Sequence, residues 1–227
     1  PLQLPRPLPA NGRRDQFGNF GNVNHYKGTM VALDGAALLA DGKTDFTLRV
    51  HGGMPFQAEE FRQRFETAVK RDPQHVRPMG PYEASDMPQL LGAVDWVVVP
   101  SIWWENAPLV IQEAQSQGRP VICSDIGGMA EMVRHDVDGL HFRVGDPVSL
   151  MQAMRRAIEE PGLWERLAGN AGAPRTIGDC GSDHMALYRG LLQRDAEPAG
   201  PRVVKLAPPL PPLPTWLTSP PNTPGGR

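Results

Sequence analysis

Cysteine is scarce in this chain: Cys123 and Cys180 are the only two in 227 residues, far apart and in unrelated contexts. Two such cysteines make no disulfide framework and no Cys-x-x-Cys zinc or redox pair, so the setting expected is a reducing one, free in the cytoplasm or peripheral to the inner face of the membrane. An excess of cations is also missing, the net charge being −2 and the pI about 6.3. That removes the electrostatic footprint of a nucleic-acid binder. No apolar run approaches the roughly 20 residues that span a bilayer, so no transmembrane segment is expected, and no signal-peptide pattern opens the chain. Proline, in contrast, is abundant and uneven. Of 25 prolines, four fall in the first ten residues and ten from Pro198 onward. Both ends are therefore expected to be extended: a linker over 1–14 and a disordered Pro-rich tail over 198–227. The Pro208 to Pro211 spacing in the tail fits a polyproline ligand, although a plain linker has the same composition. The start at Pro1, without Met, reads as a piece of a longer polypeptide.

Between these ends, short β-type runs alternate with helical patterns. The strand candidates are 16–21, 46–52, 75–80, 94–101, 119–124 and 139–144, the third weakened by Pro78. Helical patterns fall between them at 28–40, 58–70, 84–93, 107–117 and 128–135, and after the last strand at 146–160, 163–169 and 182–194. Strict alternation implies βαβ units and a parallel sheet, an α/β, Rossmann-like doubly wound domain over 15–197. The unbroken apolar run "VDWVVVP" suits a central strand covered on both faces. Such sheets place ligands beyond the carboxyl ends of their strands.

The stretch "WWENAPLVIQEAQSQGRPVICSDIGG" carries Glu105 just ahead of a helix and Glu113 on it. Asn106 is the expected N-cap, and Gly118 the expected stop. Glu105 would then lie at the mouth of the sheet, beside the free N–H groups of residues 107 to 109 and the positive end of the helix dipole. A phosphate suits that helix start, and Glu113 is placed to accept a ribose diol as acidic residues do in dinucleotide sites. Two glutamates on one helix are by themselves more often solvated surface charge. The first strand leads into "FGNFGNVNHYKG", where Gly18 and Gly21 allow close backbone approach and Lys27 stands before a helix. The pattern is neither G-x-G-x-x-G nor a P-loop.

Taken together, these motifs resemble the C-terminal, donor-binding half of a GT-B glycosyltransferase of the retaining family 4, or group 1. The resemblance rests on "FGNFGNVNHYKG", on "VVVPSIWWENAPLVIQEAQSQGRPVICSDIGGMAEMV" with its Glu-x7-Glu, and on "DGLHFRVGD", and runs from about Phe17 to Leu192. It implies a nucleotide-diphosphate sugar as donor substrate, with no cofactor and no metal. Glu113 then binds ribose hydroxyls, and Glu105 lies by the transferred sugar. The backbone of Asn106, Ala107, Pro108 and Leu109 borders sugar and phosphate. Lys27 meets the diphosphate, with Gly21 as the glycine turn. Tyr82 lies near the base, although a core or lid aromatic fits there equally. The family usually has arginine five residues before the lysine, where this chain has Asn22, so a charge that would stabilise the leaving diphosphate is absent. The implied reaction ionises the sugar–phosphate bond and delivers the sugar with retention to an acceptor glycan, lipid or small molecule held by an upstream domain.

Other features fit plainer roles. Asp136 and Asp138 sit in a turn far from the glycine loop, and His51 at a strand end before Gly-Gly reads as structural. Trp103 and Trp104 suit packing at the loop base more than stacking on a sugar, and Glu131 suits the first turn of its helix. Two other functions share the fold: a GT-B-like nucleotide-sugar epimerase, and a degenerate, non-catalytic glycosyltransferase module.

Overall fold

The computed structural model describes residues 12–172 and 176–195, and the chain divides into two compact units, Pro1–Arg175 and Thr176–Arg227. The Pro-rich tail, with its P-x-x-P spacing, and most of the expected linker lie outside the described residues. The last residue assigned to that linker, Arg14, is nonetheless buried in the first unit. Its guanidinium bonds to Asp95 and Glu165 and lies 4.1 Å over the Trp164 ring.

The first unit is a six-stranded sheet in the order β3-β2-β1-β4-β5-β6, parallel throughout. Its strands are β1 Gln16–Phe20, β2 Thr47–His51, β3 Val76–Gly80, β4 Trp96–Val99, β5 Val121–Ser124 and β6 Gly139–Phe142. All six fall inside the spans expected from sequence. Pro78 is accommodated because β3 is an edge strand, paired to β2 alone, where a missing N–H interrupts no second ladder.

Period-two alternation splits the buried side chains between two cores. Phe17, Trp96, Val98 and Ile122 meet one face with α1 (Thr29–Asp41), α2 (Glu59–Arg71), α6 (Pro147–Glu159) and α7 (Leu163–Asn170). Phe20, Val97, Val99, Val121 and Cys123 meet the other with α3 (Met87–Gly92), α4 (Leu109–Ser116) and α5 (Gly127–Met132). Both faces of β4 are covered, which is why its sequence carries no polar alternation. The two buried indoles are satisfied: Trp96 donates to the Arg14 carbonyl at 3.0 Å and Trp164 to the Asp95 carbonyl at 2.7 Å.

Two of the departures from the expected helical spans have local causes. The segment 84–93 opens as a 3-10 turn, Ala84–Asp86, before α3, because the Pro88 ring would collide with the carbonyl four residues back in a continuous α-helix. In the second unit, α8 runs Ile177–Asp195 and so starts earlier than 182. Thr176 and Asp179 exchange backbone and side-chain bonds of 2.8 and 3.1 Å, a reciprocal cap that begins the helix despite Gly178 and Gly181.

Candidate functional site

Strand order turns back on itself between β1 and β4, and an open cleft of about 820 Å³ lies there beyond the carboxyl ends of the strands. Its walls come from four loops. The turn after β1 gives Phe20, Gly21, Asn22 and Lys27, that after β2 gives Gly52 to Pro55, and that after β3 gives Pro81, Tyr82 and Ala84. The fourth side is the entry to α4, with Glu105, Ala107 to Val110, and Glu113 one full turn inside the helix. Of the nine residues expected to make the site, the cleft gathers Gly21, Asn22, Lys27, Tyr82, Glu105, Ala107, Leu109 and Glu113.

Asn106 is the exception, and two expectations about it are corrected. It neither lines the cleft nor caps the helix: the N-cap is Pro108, at φ −60 and ψ 115, with no side-chain bond. Proline fixes φ and pushes the residue before it out of the helical region, so the first turn is delayed until Leu109. Among the described residues the unpaired helix N–H groups are thus those of Leu109 and Val110, so of the expected set only that of Leu109 belongs to the helix start. Asn106 instead supports the loop through its backbone: a Cβ on Gly128 would overlap the Asn106 carbonyl oxygen, and the Gly128 N–H donates to the Glu105 carbonyl at 2.7 Å. Two further glycines permit the same kind of contact. A Cβ on Gly28 would strike the Pro100 carbonyl, and one on Gly52 the Gly21 carbonyl.

Side chains at the two ends of the cleft differ in chemistry. At one end Lys27 Nζ lies 2.7 Å from Glu105 Oε1, and the buried Ser101 hydroxyl donates to that same oxygen at 2.9 Å. At the other, Phe20 stacks on His51 with centroids 4.7 Å apart, and Tyr82 meets both rings edge-on at 6.1 Å. Burial, with the Arg49 charge adding, lowers the His51 imidazole to about 4, so this ring is neutral at physiological pH. Burial raises the Glu113 carboxyl above the usual carboxylate range. Burial, and then the Glu113 charge, raise the Tyr82 phenol. Lys27 is the one lysine or arginine among the described residues of the lining.

A profile described as Glycosyl transferases group 1 matches residues 14–160. The chain belongs to that family. Among curated relatives, it is 34% identical over 173 residues to the D-inositol 3-phosphate glycosyltransferase of Jonesia denitrificans, a match covering 73% of this chain and 39% of that protein. The GT-B fold is shared with Anabaena HepE, solved in complex with UDP and glucose, at a TM-score of 0.62 and 22% identity over 82% of this chain and 49% of that one. A solved C-terminal domain of a glycosyl transferase group 1 family protein, LpcC of Francisella tularensis, superposes with a TM-score of 0.62 at 23% identity, covering 69% of this chain and 82% of that domain. The chain therefore spans about two-fifths to one half of the length of the larger proteins it matches.

The structure also places several other sequence readings. His51 is buried and stacked on Phe20 behind the lining residues, a packing position in keeping with the structural reading of its strand end. Asp136 pairs with Arg156 of α6 at 2.6 Å, tying the turn before β6 to that helix, and Asp138 pairs with Arg134 at 2.7 Å, closing the turn on itself. Glu131 is not in a first turn, since α5 begins at Gly127. Trp103 and Trp104 are not packed at the loop base but 58% and 62% exposed, Trp103 edge-on to Tyr26 at 5.7 Å. Sequence reasoning passed over Ser101 and treated Gly52 and Gly128 as ordinary turn residues. The signals present were a serine closing a strand four residues before a glutamate, and Gly-Gly pairs following β2 and β5. Among the described residues, no helix is long and apolar enough to cross a membrane.

Proposed function

We propose that this chain is the donor-binding half of a retaining glycosyltransferase that takes a nucleotide-diphosphate sugar. The carrying observation is the cleft at the β1/β4 switch point, where eight of the nine expected residues line one space. In this reading the base lies toward the Phe20, His51 and Tyr82 rings, and the ribose diol is accepted by Glu113. The diphosphate meets the Leu109 and Val110 N–H groups and Lys27, and the transferred sugar lies beside Glu105. Departure of the diphosphate leaves charge where the helix start and Lys27 already concentrate positive potential. An acceptor on the same face then attacks, held by a part of the enzyme outside this chain. The size of the matched relatives supports that division, as does the open form of the cleft, because in-line positioning and exclusion of water need a second wall.

The test is donor consumption in a mixed acceptor extract, by residues 1–227 and by a longer polypeptide carrying the upstream coding sequence. The expected outcome is slow hydrolysis by the shorter chain and transfer by the longer. Robust product formation by residues 1–227 alone would refute the half-enzyme reading.

A further inference from the structure

Ser101 ends the run after β4 and is 1% exposed. Its hydroxyl donates to Glu105 Oε1 at 2.9 Å, the oxygen that also faces Lys27 Nζ at 2.7 Å. Among the described residues Glu105 Oε2 makes no hydrogen bond, so on this cleft-lining residue one carboxylate oxygen is anchored twice and the other is left open to a ligand. The Glu105 backbone is fixed as well: its N–H donates to the Trp103 carbonyl at 2.9 Å, and its carbonyl accepts from Gly128 at 2.7 Å.

The two anchors on Oε1 have different fates. Lys27 is 41% exposed in its side chain and sits where an incoming diphosphate would draw it away. Ser101 is buried, four residues from Glu105 in the same loop, and has no competing anion in reach. Once Lys27 turns to phosphate, the serine hydroxyl is the remaining bond that holds the carboxylate in its rotamer. A long acidic side chain released from both partners regains rotamer freedom that must be lost again to grip a sugar hydroxyl.

We propose that Ser101 is a positioning residue that holds Glu105 for the donor's sugar, so that it governs discrimination between a nucleotide-diphosphate sugar and the bare nucleoside diphosphate. The inference rests on the donor reading above. Ser101 does not touch the nucleotide. It acts on the sugar through Glu105 alone, by keeping Oε2 aimed while Lys27 is engaged elsewhere.

The test is calorimetry on the full chain with three matched pairs: UDP and UDP-glucose, GDP and GDP-mannose, ADP and ADP-glucose. For the pair that binds, Ser101→Ala is expected to cut the preference for the sugar-bearing ligand by about fivefold to tenfold, the size of an ordinary net hydrogen bond rather than the full value of one to a charged group, because the serine reaches the sugar only through Glu105. Affinity for the bare diphosphate should stay within about twofold. In a Glu105→Gln background, where discrimination is already lost, Ser101→Ala should change nothing further. Equal weakening of both ligands, or an effect that persists in the Glu105→Gln background, overturns the positioning role and leaves the donor reading standing. Binding of none of the six ligands by the unmodified chain overturns the donor reading itself. Should Ser101→Ala fail to fold, Glu105→Gln alone decides, since unchanged discrimination there removes the group through which Ser101 acts.

Discussion

Replacing Glu113 should separate what the site needs from what the fold prefers. The carboxyl lies on α4 inside the cleft, where burial raises its pKa. Part of the cost of stripping water from the charged form is thus already borne by the empty protein, and a ribose diol meets an acceptor that has lost part of its hydration in advance. A hydrogen bond to a charged group contributes about 1.5–3 kcal/mol, and this prior desolvation argues for the upper half, roughly 2–3 kcal/mol. Glu113→Ala should therefore weaken nucleoside diphosphate binding about 30-fold to 150-fold. Stability should move the other way. A carboxyl whose pKa is raised on folding binds more protons folded than unfolded, so its contribution is most favourable below the unfolded value and is lost as pH rises through the folded one. At neutral pH the charged Glu113 opposes folding, and Glu113→Gln should raise the melting temperature there, with the gain shrinking in acid. Titration calorimetry and thermal melts at pH 7.5 and pH 4.5 measure both halves. Unchanged affinity in a folded Glu113→Ala protein would refute the ribose assignment, and a Glu113→Gln protein that melts lower at pH 7.5 would refute the desolvation argument.

Asn22→Arg should tighten diphosphate binding, because a guanidinium pairs with phosphate oxygens in bidentate fashion and the lining holds Lys27 as its one lysine or arginine among the described residues. The gain should fade with added salt, and no gain in low-salt calorimetry would mean that the β1 turn is arranged differently toward the ligand. Gly128→Ala should destabilise the first unit by about 2–4 kcal/mol, since its Cβ meets backbone rather than a yielding side chain. A urea midpoint within error of the unmodified chain would show that the Glu105–Asn106 loop has room to move.

The fold was largely legible because its signals are redundant. Strand after strand is an apolar run bounded by turn residues, and β4, with both faces covered, needs no alternation to be recognised. The errors cluster where one residue's backbone preference overrides a pattern. Pro88 splits a helical stretch, Pro108 delays α4 and takes the cap from Asn106, and the Thr176–Asp179 cap starts α8 ahead of its apolar period. The site was legible as a set of side chains, since Lys27, Tyr82, Glu105 and Glu113 occupy positions that strand ends and helix starts bring to one edge. Its internal bonds were not. That Ser101 and Lys27 share one oxygen of Glu105 depends on how two loops approach one another, and residue spacing does not encode that approach. Trp103 and Trp104 were misplaced because hydrophobic character predicts burial only where a neighbouring element covers the ring.

Gly28 beneath Pro100, Gly52 against Gly21 and Gly128 against Asn106 share one property: each sets main chain directly on main chain between adjacent loops. No side chain serves as a spacer at these points, so the width of the cleft is fixed by the covalent dimensions of the peptide itself. Such a frame divides the mouth of the sheet into two classes of position. Substitutions at Asn22, Tyr82 or Leu109 re-dress the walls without shifting them, and are open to redesign of ligand preference. A single methyl at any of the three glycines moves a whole loop, and with it every residue that loop presents.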